Sequence, residues 1–133
     1  MVKEAYVSFE VAKLLKDKEF LKGVDLRITQ NLSFYDNIGL THNLNRWYDS
    51  LIQDKINFVV APTHQMAMAW LREKYNLFIQ VEFDPPTFSA DIYKMDEVDE
   101  YGSAKHIPPT FANAKSYEEA VEAALKYSLE NLI

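Results

Sequence analysis

The stretch from Leu77 to Ile92 constrains this chain more than any other. Leu77, Ile79, Val81 and Phe83 alternate with Phe78, Gln80 and Glu82; after Asp84-Pro85-Pro86-Thr87 the alternation resumes, with Phe88, Ala90 and Ile92 set against Ser89 and Asp91. A period of two places one set on each face of an extended backbone. Neither proline can donate to a ladder, so the pair marks a turn. The pattern predicts an antiparallel hairpin with one buried face and one wetted face.

Helical signals supply the cover for that buried face. Ser8 is placed to cap a helix over 9–22 that carries Val11, Leu14, Leu15 and Lys18 on one stripe, with Gly23 just past its end. Pro62-Thr63 precedes a second helix bearing Met66, Ala67, Trp70, Leu71 and Lys74, and Asn76 is a residue type that tolerates a left-handed cap. Ser116 and Glu119 form a Ser-x-x-Glu capping box before a third helix, which buries Tyr117, Ala120, Val121, Ala124, Leu125 and Leu132. Glu118, Glu119 and Glu122 stand at its amino end, where the helix dipole favours negative charge. The first two helices end alike, in Leu14-Leu15-Lys16-Asp17-Lys18 and Trp70-Leu71-Arg72-Glu73-Lys74, a likeness that a worn duplication of a helix-then-strands unit would leave and that amphipathic helices also produce by chance.

Other segments read less plainly. Val24, Leu26 and Ile28 alternate as a half-buried strand, Asp36-Asn37-Ile38-Gly39 reads as a turn with room for a second short strand beside it, and Asn57-Phe58-Val59-Val60 as a short extended run. Leu44, Trp47, Tyr48 and Leu51 suggest a short helix across 43–53. Residues 94–115 mix acids, Gly102 and Pro108-Pro109 without a period, and read as a long surface loop of the kind that more often carries function, with room for a strand near Tyr101 or Phe111. The expectation is one domain over residues 1–133: α+β, a small, mainly antiparallel sheet packed against two or three helices.

Composition removes several chemistries. The absence of cysteine excludes disulfides, thiolate metal sites and cysteine nucleophiles. Three glycines among 133 residues form neither a phosphate-cradling loop nor a Gly-x-Ser-x-Gly elbow. The longest apolar run, Met66–Leu71, falls far short of a membrane span, and charge near the start argues against a signal peptide. A soluble, cytoplasmic protein with no membrane association is therefore expected. His42, His64 and His106 show no helical metal spacing; His64 reads as an exposed first-turn residue and His106 as a loop residue with no base-like setting. Asp96 and Asp99 read as solvated acids rather than a metal pair. No catalytic residue, cofactor or metal is expected, and the Met66–Tyr75 helix reads as core.

The net charge of −6 lies wholly in residues 61–133, mostly in Glu82, Asp84, Asp91, Asp96, Glu97, Asp99 and Glu100 against Lys94. Direct nucleic-acid binding is disfavoured, because it draws on cationic clusters that this chain lacks. Candidate partner-binding residues are Trp47 and Tyr48, beside Arg46, since Trp, Tyr and Arg dominate interface hot spots. Asp96, Glu97, Asp99 and Glu100 are the other candidates, as an acidic face for a basic protein.

The segment Ala61-Pro62-Thr63-His64-Gln65-Met66-Ala67-Met68-Ala69-Trp70-Leu71-Arg72-Glu73 resembles a set of small uncharacterised proteins of gut Bacteroidales, their phages and mobile elements. The opening Tyr6–Lys16 and the ending from Ser116 to Ile133 agree with it. The resemblance implies a cytoplasmic accessory protein, encoded by a phage or mobile element, and carries over no functional residues. The favoured expectation is a non-enzymatic binding protein acting on an unknown protein partner. Its rivals are a self-associating homodimer, an enzyme of unrecognised type, and an acidic DNA mimic aimed at a DNA-binding host protein.

Overall fold

The computed structural model describes residues 5–20, 33–35, 40–41 and 59–133. Along them run α1 (Phe9–Asp17), β1 (Ser33–Tyr35), β2 (Leu40–Thr41), β3 (Val59–Ala61), α2 (His64–Tyr75), β4 (Leu77–Asp84), β5 (Thr87–Val98), β6 (Ala104–Ala114) and α3 (Tyr117–Asn131). The fold is α+β. Its antiparallel strands are divided between two three-stranded sheets, ordered β2–β1–β3 and β4–β5–β6. The strand expected at 24–29, the turn at 36–39, the helix at 43–53, Gly23 and His42 lie outside the described residues.

The helices begin where their side chains dictate. Ser8 Oγ accepts the Val11 N–H at 3.2 Å, Thr63 Oγ1 that of Met66 at 3.2 Å, and Ser116 Oγ that of Glu119 at 3.1 Å. The Glu119 carboxylate returns to the Lys115 N–H at 3.2 Å, one residue earlier than in the usual box. Asn76 closes α2 in the left-handed region, at φ 57°.

The first helix is shorter than its pattern predicts, ending at Asp17 rather than near residue 22. Glu19 turns left-handed at φ 60°. Its N–H reaches Lys16 O and that of Phe20 reaches Leu15 O, each at 3.0 Å, a pair of bonds that closes the helix as a Schellman motif. The left-handed turn costs about 1–2 kcal/mol for a residue with a Cβ. It carries Phe20 into the core beside Leu15, and burying a Phe side chain is worth about 2–3 kcal/mol. Burial outweighs strain, so the helix stops early.

One hydrophobic cluster joins these elements. Ala120, Val121, Ala124, Leu125 and Leu129 of α3 meet Val11, Ala12 and Leu15 of α1 and Ala67, Met68 and Leu71 of α2. From the sheet come Leu77, Ile79, Ala90, Ile92 and Ala114. Trp70 stands edge-on to Phe20 and Tyr75, with ring centroids 5.3 and 5.2 Å away, which fixes α2 as a core helix.

The expected hairpin forms, with a register that runs from Leu77 opposite Lys94 to Asp84 opposite Thr87 and with Pro85 and Pro86 at the turn. The structure replaces most of the loop expected over 94–115 with strand and places Phe111, one of the two positions named for a strand, in it. β5 continues to Val98, and the segment after it returns as an eleven-residue strand, β6. Ile92 pairs with Ile107 and Ala90 with Phe111, so two steps on β5 face four on β6. Pro108 and Pro109 sit in that bulge on an edge strand, where a missing N–H costs the ladder little.

Candidate interaction surface

The sheet β4–β5–β6 packs its helix-facing side onto α3 and leaves the other open along β4, where Phe78, Gln80 and Glu82 are exposed, while Ser89 of β5 is buried. Parity assigns Phe78, Gln80 and Glu82 of β4, and Ser89, Asp91 and Tyr93 of β5, to the open side. There Asp91 Oδ1 accepts from Thr110 Oγ1 at 2.6 Å and from His106 Nε2 at 2.9 Å. The Tyr93 ring lies 5.4 Å from the His106 ring. Burial first, then the charges of Asp91 and Glu82, raise the Tyr93 hydroxyl above its ordinary pKa. This corrects the expectation that His106 lies in a loop with nothing beside it: it stands on β6, held by a carboxylate.

Beyond Lys94 and Lys105, the ribbon of β5 and β6 outruns β4. Its last pair is Val98 with Ala104, and the turn between them is closed by Asp99. Asp99 Oδ1 accepts the N–H groups of Tyr101 at 2.9 Å and Ser103 at 3.0 Å, and the Asp99 N–H reaches Ser103 O at 2.8 Å. Gly102 has φ 80°, a conformation strained for any side chain, and a Cβ there would meet nothing within 4 Å. The arm so built presents Met95, Val98 and Tyr101, which are 51%, 68% and 85% exposed.

The predicted acidic candidates all fall on this arm, in unequal roles. Asp96 lies 3.8 Å from the Lys94 ammonium and Glu97 3.3 Å from that of Lys105, both exposed pairs of the kind worth ~0.2–1 kcal/mol. Asp99 is spent on the turn. Glu100 is exposed. Trp47 and Tyr48 lie outside the described residues. The apolar members Met95, Val98 and Tyr101 were missed because bulges break their period; the hint was that the polar-facing series Ser89, Asp91, Tyr93 continues without a stop.

A second polar cluster sits in the core. His64 is only 4% exposed, which overturns its reading as an exposed first-turn residue. Its Nε2 donates to Glu122 Oε1 at 2.8 Å, and the same oxygen accepts the Ser8 N–H at 2.8 Å. The carboxylate thus lies at the amino ends of both α1 and α2, where two helix dipoles favour its charge. Burial pushes its pKa up, but hydrogen bonds from His64 and Ser8 and the charge of His64 outweigh that and hold it below the ordinary value. The signal was available: Glu122 shares a helix face with Leu125 and Leu129, three and seven residues on. Tyr35 adds a bond from its hydroxyl to Val7 O at 2.7 Å, tying β1 to the same corner.

Among the described residues, no group of three or more His, Asp or Glu is placed to hold a metal ion, and no helix is long and apolar enough to cross a membrane. No family model, curated protein or solved structure matches the chain.

Proposed function

We infer that this chain is a non-enzymatic binding and accessory protein, and that the β5–β6 arm is its contact element. The observation that carries the reading is the arm's composition: Val98 and Tyr101, the two most exposed large apolar side chains described, stand among Asp96, Glu97 and Glu100. Covering each on a partner is worth about 1.5–3 kcal/mol. The surrounding carboxylates select a basic protein segment and disfavour nucleic acid. The weak pairs with Lys94 and Lys105 exchange for a partner's cations at small cost. The resemblance to phage and mobile-element proteins adds that the partner belongs to the host cell.

The test uses two variants in a host-lysate capture. One is Tyr101→Ser with Val98→Ser; the other is Asp96→Lys with Glu97→Lys and Glu100→Lys, leaving Asp99 to hold the turn. A protein captured by the native chain is then titrated by calorimetry. Both variants are expected to weaken its binding at least about tenfold, and the native affinity to fall with added salt. Unchanged affinity in both variants removes the arm as the contact.

A further inference from the structure

The two edges of the sheet β4–β5–β6 are not alike. Its β6 edge carries Pro108, Pro109 and register shifts, devices that stop a strand from pairing with a stranger. The β4 edge carries none of them. It runs Leu77-Phe78-Ile79-Gln80-Val81-Glu82-Phe83-Asp84, with no proline, no bulge in its pairing to β5, and no charge before Glu82.

The backbone groups facing outward on β4 follow from the ladder. The Met95 N–H donates to Asn76 O at 2.7 Å, so the even-numbered residues of this strand exchange bonds with β5. Alternation then turns the N–H and C=O of Leu77, Ile79, Val81 and Phe83 away from β5. In the described sheet, β4 has a strand on one side only.

We propose that this edge pairs antiparallel with the same edge of a second copy of the chain, about a two-fold axis at Gln80. The register follows from the side chains. With Gln80 opposite Gln80 of the second copy, Ile79 meets Val81, Leu77 meets Phe83, Phe78 meets Glu82 and Asn76 meets Asp84. Every residue keeps its face, all four outward-facing residues find partners, and no two like charges stand opposite. Centring the axis on Glu82 instead sets two carboxylates against each other, which is destabilising. The chosen register also covers Phe83, which is 59% exposed at the end of β4 beside Phe88. The product is one continuous sheet ordered β6–β5–β4–β4–β5–β6, with the proline-bearing strands outermost and both arms left free. This surface is separate from the arm, so either stands without the other.

Sedimentation equilibrium over a range of concentrations tests it. The native protein is expected to shift from its 15.5 kDa monomer toward twice that mass. Gln80→Lys sets two ammonium groups at the axis while its exposed side chain leaves the monomer's packing alone. Val81→Pro removes an outward N–H that β5 does not use. Each is expected to weaken association at least about tenfold with the circular dichroism of the native monomer retained. If Val81→Pro does not fold, Gln80→Lys decides. A native chain that stays monomeric at millimolar concentration overturns the proposal, as does a dimer that both folded variants leave intact.

Discussion

His64 and Glu122, 58 residues apart in sequence, show how one pair fixes the corner where three helices meet. The carboxylate can only accept, so His64 donates from Nε2, and its buried Nδ1 has no hydrogen-bond partner among the described residues. A buried nitrogen left without a partner is a cost of about 1–3 kcal/mol, borne because the other nitrogen secures the carboxylate. Removing Glu122 strands both the His64 ring and the Ser8 N–H. Glu122→Ala is expected to lower unfolding free energy by about 2–4 kcal/mol in urea titration. The acid limb gives the sign independently. Glu122 has its folded pKa below the unfolded value of 4.5, so its contribution is full above that pH and fades as pH falls through the folded pKa. Glu122→Gln is expected to flatten that part of the stability profile, and an unaltered profile contradicts the pairing. No local pattern names His64 as the partner. Residue spacing shows that Glu122 points inward, but the imidazole that meets it is fixed only by how α2 packs on α3.

Elements were legible where the signal is short-range and hidden where it is tertiary. Thr63, Asn76 and Ser116 mark helix ends through bonds to their own neighbours, so the sequence suffices for α2 and α3. The β4–β5 hairpin is likewise local, its strands joined through Pro85 and Pro86. Strand β6 was legible only as an option near Phe111, because Pro108-Pro109 is normally a strand breaker and only a bulge opposite Ala90–Ile92 admits it. The end of α1 was hidden because Phe20 reaches a core that the sequence does not display. The arm rests on a device of its own: Asp99, accepting two backbone N–H groups, substitutes for a hydrophobic foundation. Asp99→Ala is expected to speed amide hydrogen exchange across residues 99–103 while shifting global stability by less than about 1 kcal/mol. Unchanged protection across that turn contradicts the role given to Asp99.

For the molecule as a whole, the core that holds the fold and the proposed contact element sit in different places. The cluster joining α1, α2, α3 and the helix-facing side of the sheet holds the fold. The arm lies outside it, and Met95, Val98 and Tyr101 contribute exposed area rather than core. Composition made the first half legible, since a chain with 14% aromatic and 48% hydrophobic residues builds a core; the acidic excess pointed to residues 96–100 without showing that Tyr101 and Val98 stand among them. The division has a direct test. Deleting residues 96–103 and joining Met95 to Ala104 through Asn-Gly extends the pairing of Lys94 with Lys105 into a two-residue hairpin. The shortened chain is expected to melt within about 5 °C of the native one and to lose the captured partner. A shortened chain that folds and still binds that partner with native affinity contradicts the arm as the recognition element.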